Sequence, residues 1–419
     1  MDLRHLTALG AASALATTLL LPGAADATPA SGTAQAAQAA QAGGVDRMAT
    51  QAADHPTYRA RTASAAGATA LTPATRRAID RMVRADRRDA VPEHARLLPR
   101  AALARVARTA VHCHTFEGQR YCVGLGWTSR SPAQVGDDLA ERVAARRTGT
   151  DTGDLGPRAT LLRLLSGTPG QRARRERAEL TAAARAVAKV WLLRHQVQGV
   201  PLPAGFLARH PEARARSTEL ARHRSSASAK AYPQRATVLS TTRVSEQHRT
   251  YWCGPTTAQM IVWGWTHEKR SQKHWARRLG TTTAGSSISD MVRVVNNNTG
   301  WDKPSYAGKY IVLDIGDWSA KQWWRLIKRH ISTYRAPVVL HPILLKKYFP
   351  YLDDDGSGHF QVGRGYDNRG KKTNLIGYFE PWNQQRFDPS EPYIARVQWR
   401  SGARSYRANE AHPMHDIGV

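Results

Sequence analysis

Apolar residues spaced three or four apart mark out the helices of this chain. Within an Arg-rich stretch over residues 71–109, Ile79, Met82 and Val83 fall at i, i+3 and i+4. Leu180, Ala184, Val187 and Trp191 share one face of a second amphipathic helix over residues 172–198. Residues 256–265 are apolar on most sides and suit a buried helix. Ser287-x-x-Asp290 resembles a capping box and opens a helix that runs to about Asn298. Trp323, Ile327 and Ile331 place another over residues 319–332. Elsewhere the period shortens to two. Residues 111–127 alternate about a Glu117-Gly118 turn and read as a hairpin. Residues 337–341, 359–366, 375–380 and 393–399 are strand candidates, separated by turn-forming clusters such as Asp353-Asp354-Asp355-Gly356 and Asn368-Arg369-Gly370. Helices first and antiparallel strands later predict an α+β unit.

The start of the chain follows a different pattern. Arg4 and His5 precede an apolar run over residues 6–21, Pro22-Gly23 breaks it, and Ala25-Asp26-Ala27 supplies a small-x-small ending. Residues 1–27 therefore read as a secretory signal peptide cleaved near Ala27, with an uncleaved anchor as the alternative. Cleavage leaves no stable membrane anchor and places the protein in an oxidising, extracellular space. Residues 28–70 hold Ala, Gln, Gly, Ser and Thr with almost nothing large and apolar, and are expected to be disordered. Residues 225–231 read as a linker. Of the 12 tryptophans, 10 lie beyond it. Because aromatic side chains dominate core burial, the well-packed unit is expected at residues 232–419, preceded by a mostly helical Arg- and Ala-rich region at 71–231.

The three cysteines carry the first chemical signal. Cys113 and Cys122 sit near the two ends of the hairpin, where a bridge is geometrically easy. Cys253 is then left over, either as a buried core thiol or as a nucleophile; a different pairing would leave another cysteine over. It stands in Tyr251-Trp252-Cys253-Gly254-Pro255-Thr256-Thr257, and Pro255 suits a first helical turn. A cysteine there faces the positive end of the helix dipole, which favours a thiolate.

Partners for such a thiol can be named. Gln247, six residues earlier, can donate an amide N–H to an oxyanion alongside the Cys253 backbone N–H. His359 begins an apolar strand straight after Gly356-Ser357-Gly358 and can shuttle the thiol proton. The hairpin that follows returns the chain to Glu380-Pro381 beside His359. Glu380 is thus the first candidate to orient the imidazole, ahead of Asn383 and Asp367.

These residues resemble the C39-like cysteine peptidases of the papain-like superfamily, over roughly residues 232–419. The resemblance rests on the spacing of Gln247 to Cys253, the Trp-Cys-Gly-Pro-Thr-Thr-Ala-Gln-Met block, Gly358-His359-Phe360 followed by Gly365-Tyr366-Asp367, and Glu380-Pro381. It implies a papain-like domain whose N-terminal helices pack near an antiparallel sheet. It also implies that Gln247, Cys253, His359 and Glu380 act as oxyanion donor, nucleophile, base and orienter. Asp-Pro is usual where this chain has Glu380-Pro381, and the hairpin between His359 and Glu380 is longer than usual. No ATP-binding or membrane module accompanies the domain, so stand-alone exported relatives are the better comparison.

Composition adds a partner class. Sixty-one Lys plus Arg against 33 Asp plus Glu give a net charge of +28, spread over both halves. Such a surface attracts anionic polymers, including those of a cell wall, unless the arginines merely cover solvated helix faces. No nucleic-acid recognition signature is present. Residues 353–356 lack the alternating ligands of a calcium loop. His112, Cys113, His114 and Cys122 do not have zinc spacing, so no metal or cofactor is expected. The sequence therefore points to an exported thiol-dependent hydrolase of peptide or amide bonds. The alternatives are a non-catalytic basic wall- or surface-binding protein on the same scaffold, and an acyl-transferring relative. Residues 28–231 are a pro-region or an accessory domain that shields the cleft.

Overall fold

In the hairpin, strand β1 (Cys113–Phe116) pairs with β2 (Gln119–Cys122) around the Glu117-Gly118 turn, with Cys113 opposite Cys122. That register sets the two cysteines side by side, and they form the disulfide. The computed structural model describes residues 71–86, 95–145, 152–214, 232–303, 307–369, 374–382, 384–387 and 393–419. The leader, the polar segment at 28–70 and the linker at 225–231 lie outside the described residues.

The Arg- and Ala-rich region contains helices α1 (Pro73–Asp86), α2 (Arg100–Ala110), α3 (Pro132–Ala144), α4 (Pro157–Leu165), α5 (Pro169–Leu193) and the short α6 (Phe206–Arg209). Ser131 with Gln134 and Thr168 with Gln171 form complete capping boxes at α3 and α5. In each, the hydroxyl and the amide satisfy N–H groups that the first turn leaves over. Beyond residue 232 come β4 (Arg235–Thr237), α7 (Cys253–Thr266), α8 (Gln272–Leu279), α9 (Ile288–Asn298), β5 (Val312–Asp314), α10 (Ala320–Lys328) and β6 (Val338–Leu340). The chain ends with β7 (Gln361–Asp367), β8 (Leu375–Phe379), α11 (Gln384–Phe387), β9 (Val397–Ser401), α12 (Gly402–Glu410) and β10 (Asp416–Gly418).

Mixed helices and a mostly antiparallel sheet make the fold α+β. Among the described residues, ten strands form one sheet in the order β1-β2-β3-β5-β10-β6-β7-β8-β9, where β3 is Gly126–Thr128 and β4 pairs with β7. The β3–β5 pairing is parallel, through Trp127 and Leu313. The composition boundary near residue 232 is therefore not a break in the sheet. One apolar cluster also spans it, with Trp127, Leu180 and Val187 in contact with the cluster that holds Trp301, Tyr310 and Val312.

Several boundaries differ from the periodicity; helix α5 starts at Pro169 and α7 at Cys253, each three residues early. The last strand candidate, 393–399, lies at Val397–Ser401 because its five residues pair one for one with β8. His359 falls two residues before β7. Its N–H bonds to Pro342 O at 2.9 Å, while the ladder to β6 starts at Gln361 opposite Leu340.

Candidate active site

Cys253 opens α7 and is buried. The helix is apolar enough to be enclosed nearly all round, so residues 253–262 are all buried. Helix α7 is tied to the strand that follows His359 by the Thr257 hydroxyl, which donates to Phe360 O at 3.1 Å. Gly254 has no room for a side chain: a Cβ would stand 2.5 Å from Ser286 Oγ. With Cys113 and Cys122 bridged, Cys253 keeps its thiol.

His359 and Glu380 are both fully buried, and Nε2 of the imidazole lies 2.7 Å from Oε1 of the carboxylate. Three further donors surround Glu380. The Trp382 N–H reaches Oε1 at 2.9 Å, and Gln361 Nε2 and the Tyr351 hydroxyl reach Oε2 at 2.6 and 3.0 Å. Burial by itself raises the Glu380 carboxyl. The His359 charge and the hydrogen bonds from His359, Trp382 and Gln361 outweigh it and hold the group below the ordinary carboxylate value. Trp382 also stands edge-on to the His359 ring at 6.4 Å. The longer Glu side chain thus reaches the imidazole, and Tyr351, Gln361 and Trp382 surround it without having been marked by the sequence.

The other sequence candidates are placed as follows. Gln247 is buried, and its N–H donates to Pro381 O at 2.8 Å, which ties it to the segment carrying Glu380. Its amide nitrogen donates to Arg249 O and Thr250 O at 3.0 and 2.8 Å, both in the loop that leads to Cys253. Asp367 is at the far end of β7, bound to Arg369 and near Arg235, and does not join His359. Asn383 lies outside the described residues.

One neighbour comes from far away in the sequence. Thr152 O faces His359 Nδ1 at 3.4 Å, and the Thr152 hydroxyl donates to Gly358 O at 2.8 Å. None of Gln247, Cys253, His359 and Glu380 lines the cavity of about 690 Å³ that opens between α5, β2, α9 and β5. That cavity is bordered by Asp86, His112 and Glu176 and by several arginines. His114 Nε2 bonds Asp86 at 2.8 Å and lies 3.9 Å from Glu176. Burial acting alone would lower the His114 imidazole, but Asp86 and Glu176 raise it to about 9. Cys113, between His112 and His114, is bridged to Cys122.

A thiol at a helix start and a buried imidazole–carboxylate pair lie on one α+β frame. Residues 232–409 match the model of the Peptidase_C39 like family. Over that region the chain is similar to the C39-like peptidases, which points at family level to the cysteine-peptidase type. No curated protein matches the chain. No helix among the described residues is long and apolar enough to cross a membrane.

Proposed function

We propose that this protein is an exported, thiol-dependent hydrolase that cleaves peptide or amide bonds with Cys253, His359, Glu380 and Gln247. The observation that carries the reading is the buried His359–Glu380 contact at 2.7 Å, made through Nε2. It commits Nε2 to the carboxylate, so Nδ1, which faces Thr152 O at 3.4 Å, is the nitrogen that would exchange a proton with the thiol once that segment gives way.

The Cys253 thiol gives its proton to His359 Nδ1, and sulfur bonds to the substrate carbonyl carbon. The oxyanion accepts from the Cys253 N–H and from Gln247, whose amide turns one hydrogen away from the 249–250 carbonyls. Collapse breaks the C–N bond, and the proton on His359 leaves with the amine. Water then gives a proton to His359 and its oxygen to the thioester, releasing the acid and restoring the thiol. Every step is proton and acyl transfer among these side chains. The leader and the disulfide support an extracellular setting. The positive charge supports attraction to anionic wall polymers.

The test is hydrolysis of a peptide library by the full chain and by its Cys253→Ser and His359→Ala variants. Both substitutions should abolish turnover, and wild type should react with iodoacetamide at Cys253 at mildly acidic pH. Equal turnover in the variants would refute the mechanism. Sluggish labelling with ordinary thiol pH dependence and no turnover would favour the wall-binding reading. Products formed with added amines would mark acyl transfer instead.

A further inference from the structure

Residues 152–155 cross the ground between the Cys253 and His359 segments, and their contacts are with the walls on both sides. On one side Leu155 N–H donates to Ser286 O at 2.8 Å and Ser286 N–H to Gly153 O at 3.0 Å, a parallel strand-like pairing. Ser286 is the residue that packs on Gly254. Gly153 lies against the Tyr251 backbone so closely that a Cβ would stand 2.6 Å from its carbonyl carbon, and its φ of +105° suits glycine. On the other side Thr152 N–H donates to Ser357 Oγ at 2.9 Å, and Thr152 O faces His359. Main-chain pairing on one wall with side-chain fit on the other is how grooves hold extended peptides.

The residue after Gly153, Asp154, lies among His341, Gly358 and His412. His412 Nε2 is 3.0 Å from Asp154 Oδ2 and His341 Nε2 is 3.5 Å from it. His341 Nδ1 is held by Asp416 at 2.6 Å, and its ring stacks on Phe360 at 4.3 Å. His412 Nδ1 accepts from the Met414 N–H, which fixes its ring proton on Nε2, facing Asp154. That tautomer makes His412 a hydrogen-bond donor to a carboxylate and takes its Nε2 lone pair from any metal. Burial lowers the His341 imidazole, but Asp416 and Asp154 overcome it and raise it to about 9, so it carries the charge that balances a buried acid.

We infer that the groove beside Cys253 and His359 recognises a peptide with glycine followed by an acidic residue, and that this chain fills the groove with its own Gly153-Asp154 until the segment is withdrawn. This rests on the proposed hydrolase for its chemistry, but not for its test.

The experiment uses the full-length chain carrying Asp154→Asn, Asp154→Ala or Gly153→Ala. Two readouts need no turnover: the rate of Cys253 alkylation, and the anisotropy of a labelled, capped peptide Asp-Thr-Gly-Asp-Leu-Gly. Each variant should raise alkylation at least tenfold and admit the peptide, while wild type excludes it. A peptide with Lys in place of the second Asp should bind at least tenfold more weakly. Gly153→Ala ejects the segment by contact with Tyr251 whatever happens to the carboxylate, so it replaces Asp154→Ala if that variant does not fold. Peptide binding by an Asp154→Ala, Cys253→Ser chain, with no hydrolysis by any variant, would keep this inference and sink the hydrolase. Unchanged alkylation and no peptide binding in folded variants, judged by circular dichroism, would overturn the inference itself.

Discussion

Glu380 holds His359 by one carboxylate oxygen and gives its other oxygen to Gln361 and Tyr351, so its acceptor positions are filled by buried donors. A carboxylate with that many donors stays ionised despite burial. It fixes the imidazole in one orientation.

Glu380→Gln keeps the shape but replaces an acceptor oxygen by a donor, and favours the wrong imidazole tautomer. Turnover should fall by about 10²–10⁴-fold with KM little changed, because the loss lies in orienting the base. Steady-state kinetics on a fluorogenic peptide would check it; a change confined to KM would contradict the assignment.

Gln361→Leu or Tyr351→Phe removes one donor to Oε2. Each should cost about 1.5–3 kcal/mol of stability, the usual worth of a hydrogen bond to a charged group. With that support gone, the carboxyl titrates at higher pH, and the acid limb of the kcat/KM profile should move upward. Urea melts and pH–rate profiles read the two effects separately.

Gln247→Ala should lower kcat by about 10²-fold if the amide serves the oxyanion. The same change frees the loop carbonyls of Arg249 and Thr250. Gln247→Glu retains an acceptor without the donor and should be as slow as alanine. A fully active glutamate variant would remove Gln247 from the oxyanion site.

The protein should lose stability as pH rises from 6.5 towards 9. His341 and His114 are each raised to about 9 in the folded chain, against 6.5 for an ordinary imidazole. Groups raised by folding stabilise fully below their unfolded value and cease to do so above the folded one. The His341 contribution is on the order of 3 kcal/mol. Melts at pH 6.5 and 9 for wild type and His341→Gln should show a smaller difference in the variant.

Replacing Cys113 and Cys122 by serine should cost about 2–3 kcal/mol, as expected for release of a loop of this length, with sequence separation 9. Thermal melts with and without reductant would measure it.

What the sequence made legible was local. The hairpin cysteines, the Ser287 cap, the Cys253 helix start and the return of Glu380 to His359 all follow from spacing within one or two elements. Strands β5 and β10, three residues each, are too short to show a period. Tyr351 carries no local mark of its role, and Gln361 looks like any polar strand residue. Thr152 and Asp154 reach His359 and His412 across more than 200 residues of chain. No periodicity encodes such a meeting, because it is set by how two distant segments pack.

The parallel pairing of Trp127 with Leu313 bears on how this protein can be handled. A chain trimmed to begin at residue 232 would leave β5 as an open sheet margin beside a bared apolar face. Unsealed margins of that kind recruit other chains. The family-matched region made alone in a host should therefore collect in insoluble form, whereas the longer chain should remain in solution.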